Sequence, residues 1–294
     1  MRVFHEIDAL RGFLAGHRRS DRRIAFVPTM GALHDGHGAC VGLARSVEGG
    51  VVVCSVFVNP TQFAPGEDAD RYPRTLDADL ERLRGWNCDA VFSPSVGVMY
   101  PRPQQVWVEV AGVSEPLCGR FRPGHFRGVA TVVSKLFHIV RPDVAVFGQK
   151  DAQQALVVRS LVQQLDLGVE LKLAATVREH DGLALSSRNR YLSAPERAQA
   201  LALYRALVAA RIALEDGERD ARAVERAAGD ALHAGGIERI DYAELRRADD
   251  LSALERAEGR VILAIAAYAG STRLIDNMVF EIGAHGVVSN VALF

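Results

Sequence analysis

The chain has 294 residues, of which 49% are hydrophobic and 24% charged, so it can bury one or two globular cores. Its 35 Lys and Arg residues nearly balance 36 Asp and Glu residues, which gives no bulk electrostatic support for nucleic acid or an anionic membrane as a partner. The four cysteines are scattered without a C-x-x-C pair, so we expect reduced thiols and a cytoplasmic location. No apolar stretch reaches the roughly 18 residues that a membrane span requires.

Strand-like and helix-like segments alternate through the first part of the chain. Nearly continuous β-branched and aromatic runs predict strands, and apolar residues at helical spacing predict helices. The predicted strands lie at 23–29, 51–60, 88–94, 142–151 and 169–176, and the predicted helices lie at 38–47, 75–85, 128–140 and 152–165. This alternation predicts an α/β fold with a doubly wound parallel sheet.

The pattern changes after about residue 176. A polar loop at 180–193 precedes two alanine-rich helices, predicted at roughly 195–214 and 220–234, and Ser193 with Glu196 matches a capping box. The runs "RIDYAELRR", "RVILAIAAYAG" and "RLIDNMVF" then predict strands of a small antiparallel sheet. We therefore expect a first domain at 1–176 and a smaller α+β domain at 177–294.

The stretch "PTMGALHDGHGAC" places glycines and two histidines between a predicted strand and a predicted helix. A helix N-terminus attracts anions, and glycine lets a phosphate approach the backbone. His34 and His37 are therefore candidate phosphate donors, although ordinary turn chemistry explains an isolated H-x-G-H equally well. The stretch lacks the G-x-x-x-x-G-K-[ST] pattern of a P-loop.

Two further polar segments are candidates for phosphate binding. "FGQKD" follows a predicted strand and carries Lys150, a point cation. "LALSSRN" offers the hydroxyls of Ser186 and Ser187 and the guanidinium of Arg188. A surface lysine and a solvated linker are the alternative interpretations.

Amide side chains at 59–62 and at 154 suit a small polar substrate. Asn59 and Gln62 lie among apolar neighbours in "FVNPTQF", and Gln154 lies one helical turn into "KDAQQ". A structural hydrogen bond to the backbone is the alternative for each. Acidic residues at 68, 70, 77 and 79 give only a weak signal for hydrated Mg²⁺, and the metal ligands stay unknown.

Taken in order, these segments resemble the pantoate–β-alanine ligase family. The resemblance is carried by "PTMGALHDGH", "VNPTQF", "YPRT", "RPGHFRGV", "FGQKD", "DGLALSSRNRYLS" and "RLIDN", which span residues 28 to 277. It implies a Rossmann-like first domain, a smaller lid-like second domain and a homodimer. It also implies an ATP- and Mg²⁺-dependent reaction in which pantoate and β-alanine give pantothenate, AMP and diphosphate through a pantoyl adenylate.

The resemblance further implies the residues of the site. His37 would be the proton donor, with His34 beside it and Lys150 on the ATP phosphates. Gln62 would contact pantoate and β-alanine, Gln154 would contact pantoate, and Asn59 would lie near β-alanine. The implied ATP-binding residues are Met30, Gly31, Ala32, Leu33, His34, Asp35, Gly36, His37, Gly148, Gln149, Lys150, Asp151, Val177, Leu185, Ser186, Ser187 and Arg188.

The chain departs from the family pattern at two positions. Gly38 stands where leucine is usual after H-x-G-H, and Gln149 stands where the commoner "GEKD" has glutamate. Glycine costs about 1 kcal/mol in a helix, so we expect Gly38 to loosen the first turn. Two alternatives stay open: another H-x-G-H adenylating enzyme, such as an aminoacyl-tRNA synthetase-like domain, and a nucleotide-sensing module without chemistry.

Overall fold

A computed structural model describes residues 1–283 and 286–294, and the chain divides into two compact units. Unit 1 comprises Met1–Ala111, Arg122–Gly148 and Val157–Ala174. Unit 2 comprises Gly112–Phe121, Gln149–Leu156 and Ala175–Phe294. The single domain boundary at 176/177 stays a prediction.

Unit 1 is built on a six-stranded parallel sheet in the order β1-β4-β3-β2-β5-β6. Its strands are β1 (Arg2–Phe4), β2 (Ile24–Thr29), β3 (Val51–Val56), β4 (Ala90–Phe92), β5 (Val144–Gly148) and β6 (Glu170–Ala174). Since β3 and β4 lie on one side of β2 while β5 and β6 lie on the other, the strand order reverses between β2 and β5. Ligands of doubly wound sheets bind beyond the carboxyl ends of the strands at such a switch point. The predicted fold class is confirmed.

The helices of the first 174 residues begin and end close to the predicted bounds, where bounds were predicted. They are α1 (Ile7–Arg19), α2 (Asp35–Arg45), α3 (Leu76–Gly85), α4 (Val96–Met99), α5 (Cys118–Phe121), α6 (His125–Val140) and α7 (Ala152–Gln164). Valine-rich α6 is helical because its wide apolar face is buried, including Val129, Val133 and Val140. Tertiary burial outweighs the weak helix propensity of valine there.

Unit 2 contains a four-stranded antiparallel sheet in the order β10-β9-β8-β7. The strands are β7 (Arg239–Arg247), β8 (Gly259–Ala269), β9 (Thr272–Gly283) and β10 (Gly286–Ser289), and the two alanine-rich helices are α8 (Ala194–Glu215) and α9 (Ala221–Ala234). The predicted capping box of α8 is confirmed, because Ser193 and Glu196 each bond the other's backbone N–H. Small alanines such as Ala202, Ala206 and Ala228 are buried in the core that α8 and α9 share with the sheet.

All four cysteines are buried, and none of them takes part in a disulfide. Cys54 and Cys88 interact through their thiols, and that hydrogen bond together with burial raises the pKa of Cys54 well above its usual range. Within the part of the chain that the structure describes, no helix is long and apolar enough to cross a membrane.

Candidate active site

The loop that leaves β2 is held by a buried carboxylate. Gly31 and Ala32 have positive φ angles of 84° and 51°, so the chain turns sharply there. Asp79 on α3 accepts the backbone N–H groups of Ala32 and Leu33 at 2.9 and 2.8 Å. Its side chain also accepts the hydroxyl of Thr75 at 3.2 Å, and the residue is only 2% exposed. Because both carboxylate oxygens serve this loop, Asp79 acts as its anchor.

His34 and His37 form a reciprocal capping box at the start of α2. His34 is the N-cap residue, and its Nδ1 accepts the backbone N–H of Gly36 at 3.2 Å. His37 Nδ1 in turn accepts the backbone N–H of His34 at 3.2 Å. The ring centroids lie 4.2 Å apart. The H-x-G-H spacing therefore satisfies helix N-terminal N–H groups with two imidazoles.

This geometry fixes the tautomer of both rings. A nitrogen that accepts a hydrogen bond carries no proton, so each neutral ring carries its proton on Nε2. The two Nε2–H groups are therefore the donors that these histidines can offer to a ligand. Donors at a helix N-terminus suit a phosphate, since the helix dipole also favours negative charge there.

Asn59 holds the side chain of Gln62 through a hydrogen bond. Asn59 is 1% exposed, and its Nδ2 donates to Gln62 Oε1 at 3.1 Å and to the carbonyl of Gly128 at 3.2 Å. Its Oδ1 accepts the hydroxyl of Tyr100 at 2.8 Å, and burial raises the pKa of that phenol although a hydrogen bond with Thr61 opposes the shift. The Asn59 amide thus has structural partners, and Gln62 Nε2 is directed at the Met30 sulfur, 3.1 Å away.

A charged pair fixes the backbone that follows Gln62. The guanidinium of Arg122 binds both carboxylate oxygens of Glu67, at 2.7 and 2.6 Å. Arg122 also donates to the carbonyl of Gln62 at 3.3 Å, and His125 Nδ1 lies 2.8 Å from the same oxygen. Burial raises the pKa of Glu67, but its hydrogen bonds and ion pair with Arg122 outweigh burial and lower it overall. These contacts make "RPGHFRGV" a support for the Gln62 loop.

In unit 2, the predicted residues at 177–188 form a short hairpin. Leu185 N–H donates to the carbonyl of Val177 at 2.9 Å, and Arg178 pairs with Ala184. Ser186 Oγ accepts the backbone N–H of Arg188 at 3.2 Å, which caps a 3₁₀ turn at Ser187–Tyr191. The structure thus places Val177 beside Leu185, and the role of these residues in ATP binding stays a prediction.

Two neighbouring residues of β9 hold this hairpin and the "QKD" turn. Asp276 accepts two hydrogen bonds from Arg178, at 2.6 and 3.0 Å. Asn277 Nδ2 donates to the backbone carbonyls of Gln149 and Lys150, at 3.0 and 2.8 Å. The "RLIDN" motif is therefore the common support of both predicted ATP-binding segments of unit 2.

The adjacent glutamines of "KDAQQ" have different surroundings. Gln153 is buried and binds the 113–118 segment through Cys118 N–H and the carbonyls of Val113 and Pro116, at 2.7 to 3.0 Å. Gln154 is only partly buried. A structural role thus falls to Gln153, and Gln154 keeps its place as the substrate candidate.

Motif spacing does not predict four supporting residues: Asp79, which anchors the loop after β2, and Arg178, Asp276 and Asn277 in unit 2. Each acts on a segment distant in the chain, which no local spacing reveals. Within the described residues, no group of three or more His, Cys, Asp or Glu is placed to hold a metal ion.

Comparison with known proteins agrees with this architecture. The family model for pantoate–β-alanine ligase matches residues 2–279. Pantothenate synthetase of Moorella thermoacetica is 50% identical over 282 residues, covering 96% of this chain and 99% of that protein. The enzyme of Thiobacillus denitrificans is 52% identical over 280 residues, covering 95% and 96%.

Solved structures give the same result. Pantothenate synthetase from Thermus thermophilus superposes with a TM-score of 0.89 at 45% identity, covering 94% of this chain and 98% of that one. Pantoate–β-alanine ligase from Francisella tularensis, complexed with βγ-ATP and β-alanine, has a TM-score of 0.77 at 32% identity, covering 94% and 97%. The chain therefore belongs to the pantoate–β-alanine ligase family and is a ligase.

Proposed function

We propose that this ligase condenses pantoate with β-alanine at the expense of ATP, giving pantothenate, AMP and diphosphate. The observation that carries the proposal is the reciprocal histidine cap of α2, at the carboxyl end of β2 beside the switch point, in a chain of this family. This cap offers two imidazole N–H donors at a helix N-terminus, where a nucleotide phosphate binds well.

ATP would lie along the loop from Met30 to His37. Its phosphates would accept hydrogen bonds from Nε2–H of His34 and His37, with His37 as the proton donor. The anchor at Asp79 supports this role, because it keeps the loop in one conformation before the substrate arrives. Preorganised donors stabilise developing charge without reorganisation during the reaction.

The remaining nucleotide contacts would come from Gly148–Asp151, Val177 and Leu185–Arg188. Lys150 and Arg188 would neutralise the departing diphosphate, and the hydroxyls of Ser186 and Ser187 would add hydrogen bonds. Because the Gln149 side chain is turned toward the C-terminal segment, its own contact with ATP would be made by the backbone.

Pantoate and β-alanine would bind through Gln62 and Gln154. The network around Asn59 orients the Gln62 amide, so Asn59 would act near β-alanine through Gln62. The chemistry would proceed in two steps. A pantoate carboxylate oxygen attacks the α-phosphorus of ATP and diphosphate leaves; the β-alanine amine then attacks the acyl carbon, forming the amide and releasing AMP and a proton.

Mg²⁺ would enter with the nucleotide. Mg²⁺ commonly keeps several waters and binds through substrate phosphates and one or two carboxylates. Asp79 does not fit as a ligand, because backbone N–H groups and the Thr75 hydroxyl occupy its carboxylate oxygens. We also propose that the protein is a homodimer and that it acts in the cytoplasm. Only its membership of the family supports these two points.

The two alternatives receive less support. A tRNA-dependent adenylating enzyme would need a basic surface, whereas the net charge is −1. A nucleotide sensor without chemistry would not need both His34 and His37 together with Lys150. The family match across residues 2–279 favours neither.

Oxygen-isotope transfer tests the proposed chemistry. With pantoate labelled by ¹⁸O in its carboxylate, attack on the α-phosphorus predicts one ¹⁸O in each AMP released, detectable by mass spectrometry. Unlabelled AMP would contradict an acyl-adenylate route. AMP formed in the absence of pantoate is the control for background hydrolysis of ATP.

A further inference from the structure

The side chain of Gln149 is engaged by the C-terminal end of the chain. Gln149 Nε2 donates to the carbonyl of Val291 at 3.1 Å, and Gln149 Oε1 accepts the backbone N–H of Leu293 at 3.2 Å. Gln149 is 9% exposed and Leu293 is 0% exposed. We call residues 291–293 the C-terminal strap. The amide of Gln149 thus matches one acceptor and one donor of this strap.

The same turn is held from a second side by β9. Asn277 Nδ2 donates to the carbonyls of Gln149 and Lys150, and Asn277 is 5% exposed. The backbone at 149–150 is therefore fixed through its carbonyls by Asn277 and through the Gln149 side chain by the strap. The strap in turn meets β9, because Val291 N–H donates to the carbonyl of Val279 at 3.4 Å.

An amide is required for this arrangement. A carboxylate at position 149 accepts the N–H of Leu293 but cannot donate to the carbonyl of Val291. It would instead set a negative charge against that carbonyl in a buried place. The departure from the "GEKD" pattern at Gln149 is therefore matched to this C-terminal end.

We infer that the C-terminal strap, acting through Gln149, is a positioning element for the turn that carries Lys150. The inference rests on the proposed role of Lys150 at the ATP phosphates. The strap and the Gln149 side chain act on the nucleotide only through the backbone at 149–150. Loss of the strap should therefore weaken ATP use specifically, and pantoate use much less.

The test compares Gln149→Glu and Gln149→Met with Gln163→Glu, a matched control at an exposed position of α7. Two properties are measured on the full chain: amide hydrogen exchange of the peptides containing 149–151 and 290–294, and KM for ATP and for pantoate in diphosphate release. A net hydrogen bond changes an equilibrium by about fivefold. Both Gln149 variants should exchange faster in both peptides and raise KM for ATP by about that factor, whereas the control stays at the wild-type values.

Lowering the pH should bring the exchange rates and the KM for ATP of Gln149→Glu part of the way back to the wild-type values. It should not do so for Gln149→Met, since only a protonated carboxyl can donate to the Val291 carbonyl. This difference would assign the effect to the hydrogen bond between residue 149 and the Val291 carbonyl, and the change in KM for ATP separates a positioning role from a merely structural one. If either substitution prevents folding, a variant ending at Asn290 takes its place, with amide exchange measured in the 149–151 peptide and KM measured for ATP and for pantoate.

Unchanged exchange at 290–294 in the Gln149 variants would overturn the inference. Faster exchange with an unchanged KM for ATP would also overturn it, because the strap would then stabilise the fold without affecting the use of ATP. Failure of the proposed function would look different, because the wild-type chain itself would release no diphosphate from ATP and pantoate. The exchange data would still test whether Gln149 holds the strap in place.

Discussion

His37 Nδ1 accepts the backbone N–H of His34, and this bond makes both histidines structural as well as chemical residues. The return bond from Gly36 N–H to His34 Nδ1 completes the cap of α2. Turn chemistry and phosphate binding, which are competing interpretations of the sequence, are thus compatible. Nδ1 of each histidine holds the start of the helix, and we propose that Nε2 donates to the ATP phosphates.

Separate substitutions can divide these two roles of His37. Asparagine can supply an acceptor near the position of Nδ1 but has no Nε2–H, whereas alanine supplies neither. We expect His37→Ala to lose about 1 kcal/mol of stability, the usual cost of a lost cap, and His37→Asn to lose little. Both should slow adenylation by about 10²-fold, the scale for one lost transition-state donor. Thermal unfolding and diphosphate release measure the two effects, and near-normal turnover of His37→Asn would refute the donor role.

Removing the Lys150 ammonium should slow adenylation by about 10²-fold or more, because the departing diphosphate would lose its proposed counter-ion. Lys150→Met retains most of the side-chain length without the charge. Lys172→Met is the control, since Lys172 on β6 pairs with Glu170 at 3.3 Å. Equal rates of diphosphate release in the two variants would contradict the proposed role of Lys150 at the ATP phosphates.

Gly38 is matched to Trp86. A Cβ at Gly38 would lie 2.9 Å from Cε2 of the Trp86 ring, closer than side chains tolerate. Helix propensity alone predicts that Gly38→Ala gains about 1 kcal/mol, but overpacking costs about 1–3 kcal/mol. We expect a net loss in the free energy of unfolding by urea. In the background of Trp86→Leu the same change should become stabilising, and an additive double-mutant cycle would disprove the coupling.

The Glu67–Arg122 pair should contribute stability that disappears in acid. The pKa of Glu67 is lowered from its ordinary value of 4.5, so the folded protein binds this proton less readily than the unfolded chain does. The contribution is therefore present above pH 4.5 and is lost as the pH falls through the lowered pKa. The Tm difference between wild type and Glu67→Gln should shrink over that range, and a constant difference would contradict the assignment.

The central strands of the parallel sheet are predictable because β2, β3, β4 and β5 are largely buried and read as nearly continuous apolar runs. β1 and β10 lack that signal, since each is a short, partly exposed edge strand. α1 lacks one usual signal, because its N-cap residue Glu6 makes no side-chain cap bond, although Asp8 in the first turn and Arg18 in the last turn are typical of a helix. Elements whose stability comes from packing leave little local trace.

The residues of the candidate site also divide into those with a local sequence signal and those that depend on the fold. Motif spacing predicts His34, His37 and Lys150 as site residues, because imidazole and ammonium groups are common phosphate donors. The contacts of Asp79 with Leu33 and of Asn277 with Lys150 join residues 46 and 127 positions apart. Such supports depend on the fold and cannot be deduced from one segment. Gly38 likewise becomes explicable only beside Trp86.

The most direct test of the proposed function is single-turnover diphosphate release. Enzyme in excess over ATP is mixed with pantoate, Mg²⁺ and ATP before any β-alanine is added. Formation of a pantoyl adenylate predicts a diphosphate burst stoichiometric with ATP, followed by AMP and pantothenate when β-alanine arrives. Diphosphate that appears only after β-alanine is added, or only with another carboxylic acid in place of pantoate, would contradict it.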